Sequence, residues 1–232
     1  MEKWTREFIE LAREVEALRF GSFELKSGRT SPYFFNAGRF CDGASLARLA
    51  DCYAAAIVEA SVTSGIEFDL LFGPAYKGIP LAATVAVSLH RNHGISVPVT
   101  YNRKEAKDHG EGGSLVGAEV SGRVLVVDDV ISAGTAFGEA RQLIEAAGGR
   151  VVALAVGLDR QEQGTGRGSA GSELQESGID IVAVARLADL IEDLTENLNS
   201  GQSKTGSGQP KGVSEGERLL SDMLAYRSRY GA

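Results

Sequence analysis

The segment 124–136, VLVVDDVISAGTA, sets two carboxylates, Asp128 and Asp129, at the carboxyl end of an apolar run and follows them with Ser132, Ala133, Gly134 and Thr135. Small residues in such a turn let backbone N–H groups come close to a phosphate, and the N-terminus of a following helix adds about half a positive charge. The turn suits an anion. Two acidic side chains directly before it would repel that anion unless they faced hydroxyl groups or a metal ion, so the ligand implied is a sugar phosphate with free hydroxyls. The lysine of a Walker loop is missing. An isolated acidic pair is usually an ordinary strand end; the complete string argues for a site.

Three further segments gather cations or aromatic rings. In 101–117, YNRKEAKDHGEGGSLVG, the residues Arg103, Lys104, Lys107 and His109 fall within seven positions, flanked by glycines as a mobile lid would be. In 72–80, FGPAYKGIP, Tyr76 and Lys77 stand in a small-residue loop before a helix, and in 23–36, FELKSGRTSPYFFN, a turn carrying Lys26 and Arg29 adjoins Phe34 and Phe35. Arg160 follows an apolar run within Asp159-Arg160-Gln161-Glu162. The string 166–171, GRGSAG, fits GxGxxG but does not directly follow a strand, so it reads as a loop and not as a dinucleotide fingerprint.

The elements that must position these residues are legible from periodicity. Trp4, Phe8, Leu11, Val15 and Leu18 recur at helical spacing and predict an amphipathic helix ending near Gly21. Residues 22–36 then read as a hairpin or a pair of extended segments, and 44–62 as a second helix. From there strands at 68–72, 97–101, 123–128, 151–158 and 179–184 alternate with helices, of which 79–89 is apolar nearly all round and should be buried. Continuous Val, Ile and Leu runs between helices indicate a parallel sheet covered on both faces, an α/β doubly wound core. The glycine- and serine-rich stretch 199–215 has linker composition and separates two helical segments. The chain is expected to form one domain: a helix and hood over 1–40, a core over 65–190, and the 199–215 linker before a C-terminal helix.

A net charge of −7 and a pI near 5.1 argue against a general nucleic-acid or membrane-surface binder. No leader-like or membrane-spanning apolar stretch is evident, so a cytoplasmic location is expected. The two cysteines, Cys41 and Cys52, lack metal-ligand spacing and are expected to be reduced and buried.

The string 124–136 resembles the 5-phosphoribosyl-1-pyrophosphate (PRPP) motif of type I phosphoribosyltransferases, and the other segments resemble those of the bacterial orotate phosphoribosyltransferases over most of residues 1–190. The resemblance implies the type I fold, a mostly parallel central sheet flanked by helices with an N-terminal hood and a mobile catalytic loop. It implies transfer of ribose 5-phosphate from PRPP to orotate, giving orotidine 5′-monophosphate and pyrophosphate in UMP synthesis. By the same likeness PRPP is held by Lys26, Tyr76, Lys77, Arg103, Lys104, Lys107, His109 and the run Asp128, Asp129, Val130, Ile131, Ser132, Ala133, Gly134, Thr135 and Ala136. Orotate meets Phe34, Phe35, Ser132 and Arg160, the last a planar fork suited to a carboxylate. Lys26, Lys107, His109 and Asp128 are the implied catalytic residues. Many relatives carry threonine where Ser132 stands; the hydroxyl is kept. Mg²⁺ is implied as arriving with PRPP, with no residue assigned as its ligand. A homodimer with shared active sites is also implied, with neither nucleic acid nor membrane as partner. The alternatives are a phosphoribosyltransferase for another base and a PRPP-sensing regulator without turnover.

Overall fold

A computed structural model describes residues 1–25, 28–107, 113–131, 135–163, 168–200 and 214–231, the side chains of 105–107, 113, 135 and 136 excepted. The first helix, α1 (Lys3–Glu14), buries Phe8, Ile9, Leu11 and Ala12 along one stripe. It stops about two turns earlier than its apolar periodicity predicts. Glu16 takes a left-handed φ of 57°, and Leu18, which continues the helical stripe in sequence, opens strand β1 (Leu18–Glu24) and pairs with Phe35 of β2 (Thr30–Phe35). Leu18 is buried by the hairpin, so the same side chain satisfies either periodicity.

Asp42 caps α2 (Gly43–Ser64) by accepting from the Ser45 N–H at 2.8 Å. The remaining elements run β3 (Leu70–Gly73), α3 (Gly78–His93), β4 (Val99–Lys107), β5 (Gly113–Gly117), β6 (Gly122–Val130), α4 (Thr135–Ala146), β7 (Gly149–Asp159), α5 (Ala170–Glu176), β8 (Asp180–Arg186), α6 (Leu187–Asn199) and α7 (Glu215–Tyr230). Six strands form one sheet in the order β5-β4-β3-β6-β7-β8, parallel throughout except for β5 against β4. Alternate residues of its strands bury on opposite faces. Leu71, Leu125, Val127 and Ala155 pack with α1, α2 and α3, and Leu70, Phe72, Val126 and Val156 pack with Ala140 and Ile144 of α4. Two covered faces explain the unbroken apolar runs. The order reverses between β3 and β6, and in open α/β sheets the crevice outside the carboxyl ends at such a switch point is where ligands bind.

The polar stretch read as a mobile lid continues β4 to Lys107 and returns as β5, pairing Asn102 with Leu115 and Lys107 with Gly113; at a sheet edge a polar strand suffices, so no apolar run betrays it. Three expectations need correction. The helix expected to be fully buried, α3, buries Leu81, Ala82, Val85 and Leu89 but leaves Val87 56% exposed. Cys52 is buried, and burial pushes its thiol up to about 12, whereas Cys41 is exposed. In the stretch 166–171 expected as a loop, residues 166 and 167 lie outside the described residues, while Ser169 caps α5 and Gly171 lies within that helix.

Candidate active site

At the carboxyl end of β6, Asp129 is buried and Asp128 half-buried. Their backbone is fixed from behind by Tyr53 of α2, a buried side chain whose hydroxyl donates to the Asp128 carbonyl at 2.8 Å. A Cβ on Gly157 of β7 would stand 2.9 Å from that hydroxyl, so glycine is what admits the tyrosine. Asp128 Oδ1 accepts from the Asp129 N–H at 2.8 Å. Burial, and then the neighbouring Asp129 charge, push the Asp128 carboxyl up to about 6. Ionising Asp128 beside Asp129 therefore carries a cost that a nearby cation or hydroxyl donors would offset.

Across the switch point, the loop from β3 to α3 brings Lys77 Nζ to 2.5 Å from Asp129 Oδ2. This loop is closely packed against the sheet. A Cβ on Gly78 would lie 2.5 Å from Pro74 Cδ and 2.8 Å from the Val127 carbonyl oxygen, and one on Gly73 would strike the Gly78 carbonyl. The Asn102 side chain accepts from the Ala75 N–H at 2.9 Å, tying the loop to β4, and the Ala75–Tyr76 peptide is cis. Tyr76 is 65% exposed with Lys104 Nζ 5.0 Å from its ring centroid. Arg103 precedes Lys104 on β4. One crevice therefore holds an acidic pair able to accept from sugar hydroxyls, flanked by lysines suited to an oxyanion.

The other predicted residues lie beneath the hairpin. Arg160 follows β7, and its guanidinium lies 4.6 Å from the Tyr33 ring centroid. Its Nε donates to Glu162 Oε1 at 2.7 Å, and its Nη2 donates to Ser31 Oγ and Tyr226 Oη at 3.3 Å each. The paired phenylalanines point to opposite sides of β2, as a period of two requires. Phe35 joins Phe8 and Phe40 in the core, while Phe34 stacks on Phe23 at 5.5 Å with Arg19 above both rings. The tip turn is closed by Gly28 N–H to the Leu25 carbonyl at 2.8 Å.

Lys26, His109, Ser132, Ala133 and Gly134 lie outside the described residues. Lys107, Thr135 and Ala136 are placed by backbone alone: Lys107 ends β4 and Thr135 begins α4. Val130 ends β6 and Ile131 follows it, packed against the α4 side of the core. Sequence reasoning missed Tyr53, Asn102, Tyr33, Glu162 and Tyr226. Glu162 stood in the quoted Asp-Arg-Gln-Glu string; Tyr226, 66 positions from Arg160, gave no signal. The C-terminal helix thus touches Arg160.

Among the described residues no group of three His, Cys, Asp or Glu could hold a metal ion, and no helix is long and apolar enough to cross a membrane. Asp128 and Asp129 offer two carboxylates, so an ion here would have to complete its shell with substrate oxygens and water. A cavity of about 750 Å³ opens elsewhere, between the hairpin and α7, and its lining does not include Asp128, Asp129 or Lys77.

A phosphoribosyl transferase domain model matches residues 42–169. The chain is 57% identical to the orotate phosphoribosyltransferase of Shewanella oneidensis, across 100% of this chain and 99% of that one. It is 50% identical to that of Pseudomonas aeruginosa across the whole of both chains. The crystal structure of orotate phosphoribosyltransferase from Francisella tularensis matches with a TM-score of 0.77 and 35% identity, covering 97% of this chain and 96% of that one. The structure of the Aeropyrum pernix enzyme of the same name matches with a TM-score of 0.61 and 30% identity, over 81% and 97% of the two chains.

Proposed function

The chain belongs to the orotate phosphoribosyltransferase family, and on that premise we propose that the crevice between β3 and β6 carries transfer of ribose 5-phosphate from PRPP to orotate, yielding orotidine 5′-monophosphate for UMP synthesis. The bond from the sugar's anomeric carbon to pyrophosphate breaks, a bond from that carbon to a ring nitrogen of orotate forms, and the proton that nitrogen carried passes to water or to the departing pyrophosphate. The departing group gains negative charge, so cations fixed beside it lower the barrier. The observation that carries this reading is the meeting of Asp128, Asp129 and Lys77 at the switch point, the acidic pair for ribose hydroxyls and the lysine for pyrophosphate.

Tyr76, Arg103, Lys104 and Lys107 are proposed to share the pyrophosphate with Lys77. Lys26, Lys107 and His109 are proposed to serve the reaction centre as proton donors or as fixed charges. The run from Val130 to Ala136 is assigned to the 5-phosphate, a role supported by its place between a strand end and the start of α4. Orotate is assigned to Phe34, Phe35, Ser132 and Arg160; of the two rings, Phe34 is the one not committed to the Phe8 cluster. Mg²⁺ is proposed to arrive with PRPP and to neutralise charge on the pyrophosphate. The setting proposed is cytoplasmic.

A homodimer with shared sites is proposed as well. Its support is the outward side of α3, where exposed Val87 lies on the same helix as exposed Pro80 and Ala83 and leads back to Tyr76 beside Lys77.

A base panel tests the substrate assignment: the purified protein is given PRPP, Mg²⁺ and one of orotate, adenine, hypoxanthine or uracil. Consumption of orotate alone, with one pyrophosphate per base, is expected. Consumption of another base with orotate untouched, or of none, overturns the assignment.

A further inference from the structure

We propose that the Tyr226 hydroxyl of α7 is a positioning group for substrate recognition, holding Glu162 and Arg160 so that the guanidinium fork meets the orotate carboxylate; this rests on the reading of Arg160 given above. The geometry is a closed triangle. Tyr226 Oη donates to Glu162 Oε1 at 2.7 Å and accepts from Arg160 Nη2 at 3.3 Å. The same Oε1 receives Arg160 Nε at 2.7 Å. A hydroxyl has one proton to give, so its direction is set: toward the carboxylate, with its lone pair toward the arginine. Burial and the bond to Glu162 push the Tyr226 hydroxyl's titration up, so it remains a donor through the neutral range.

The triangle sits where an unguided arginine would have several places to go. Glu162 Oε2 also faces Arg29 Nη1 at 3.6 Å, and Arg29 in turn covers the Tyr230 ring. Without Tyr226 Oη, Glu162 Oε1 keeps Arg160 Nε at 2.7 Å and Nη2 at 2.6 Å, but the Arg160–Glu162 pair loses its tie to α7 and can shift as a unit toward Arg29, and Arg160 loses a direct acceptor. The Tyr33 ring beneath the guanidinium sets its height but not its rotation about the stacking axis. In-plane direction comes from Glu162, Ser31 and Tyr226. Bidentate recognition of a carboxylate depends on that rotation.

Helix α7 is seated for this task by contacts independent of the hydroxyl. Its Tyr226 ring meets Tyr33 edge-on at 6.1 Å and Tyr230 at 5.0 Å. The Gln163 N–H donates to the Tyr230 carbonyl at 2.8 Å. Removing the hydroxyl alone therefore leaves the helix anchored, and a phenylalanine keeps both ring contacts.

The test is steady-state kinetics of Tyr226→Phe, Arg160→Ala and the double variant, with KM read separately for orotate and PRPP. Loss of one hydrogen-bonding group predicts a rise in the orotate KM of about three- to tenfold for Tyr226→Phe, with kcat and the PRPP KM changed less than about twofold. The unchanged PRPP KM also certifies that the variant is folded. In the Arg160→Ala background the Tyr226 effect should vanish, because nothing remains to be positioned. A rise in both KM values together, or an orotate effect that persists undiminished without Arg160, overturns the proposal. If Arg160→Ala itself leaves the orotate KM unchanged, the assignment of Arg160 falls and this inference with it; if only Tyr226→Phe is silent, Arg160 stands and Tyr226 does not.

Discussion

Lys77 Nζ and Asp129 Oδ2 lie 2.5 Å apart and join the loop after β3 to the carboxyl end of β6, the parallel strand beside it across the switch point. Asp129 is buried while the Lys77 side chain is 55% exposed, so the lysine is the partner able to turn toward an incoming pyrophosphate. Lys77→Ala should lower turnover by about 100-fold, the scale of losing one preorganised charge donor. Its exposure limits the stability loss to on the order of 1 kcal/mol. Initial rates and thermal melts of the variant check both; parental turnover removes Lys77 from the pyrophosphate.

The raised Asp128 carboxyl gives a pH signature with a definite sign. Its folded value of about 6 stands above the ordinary 3.8, so between those values the folded state retains a proton that the unfolded chain has released. The stability contributed is full below about pH 4 and is lost as pH rises through about 6. Asp128→Asn, which never ionises, escapes that loss. The melting temperature of the variant minus that of the parent should therefore grow between pH 4.5 and 7.5. A difference that stays flat or shrinks removes the buried, charge-crowded account of the pair.

Close packing behind the Lys77 loop predicts that Gly78→Ala is damaging through the backbone it displaces. The added methyl meets Pro74 and the Val127 carbonyl, neither of which is a flexible side-chain end. The loop must shift. A misplacement of about 1 Å is expected to reduce kcat by about 100-fold. Near-parental kcat would mean that the loop's position does not set the rate.

The outward side of α3 predicts the assembly. Val87→Glu should shift the mass in sedimentation equilibrium toward that of one chain, because an unpaired carboxylate is costly to bury in an interface. A variant that keeps the parental mass places the interface elsewhere. Shared sites have their own test: if Lys107 of one chain serves the Asp128 site of its partner, Lys107→Ala mixed and reassociated with Asp128→Asn should recover about a quarter of parental activity, since half the dimers are mixed and each carries one intact site.

How much could be read in advance follows from what each residue answers to. The parallel core was legible because β6 and β7 are buried on both faces and so carry unbroken apolar runs. The acidic pair was legible because strand and turn lie next to each other in the chain. Leu18 misled the helix boundary because it fits both a period of 3.6 and the strand that pairs it with Phe35. The β4–β5 hairpin was hidden because an edge strand may be polar. Tyr53 and Tyr226 act on the site from other helices, with 75 and 66 positions separating them from Asp128 and Arg160. Only tertiary structure brings them there, and no local spacing records it.

The most direct test of the central claim is the initial rate of orotate consumption, with PRPP and Mg²⁺ saturating for the parent, by the double variant Asp128→Asn, Asp129→Asn. If the switch-point carboxylates hold the ribose of PRPP, the rate should fall by about 100-fold or more while the melting temperature at pH 7.5 stays at or above the parental value. A rate within about threefold of the parent, in protein that melts normally, would contradict the placement of the reaction at this crevice.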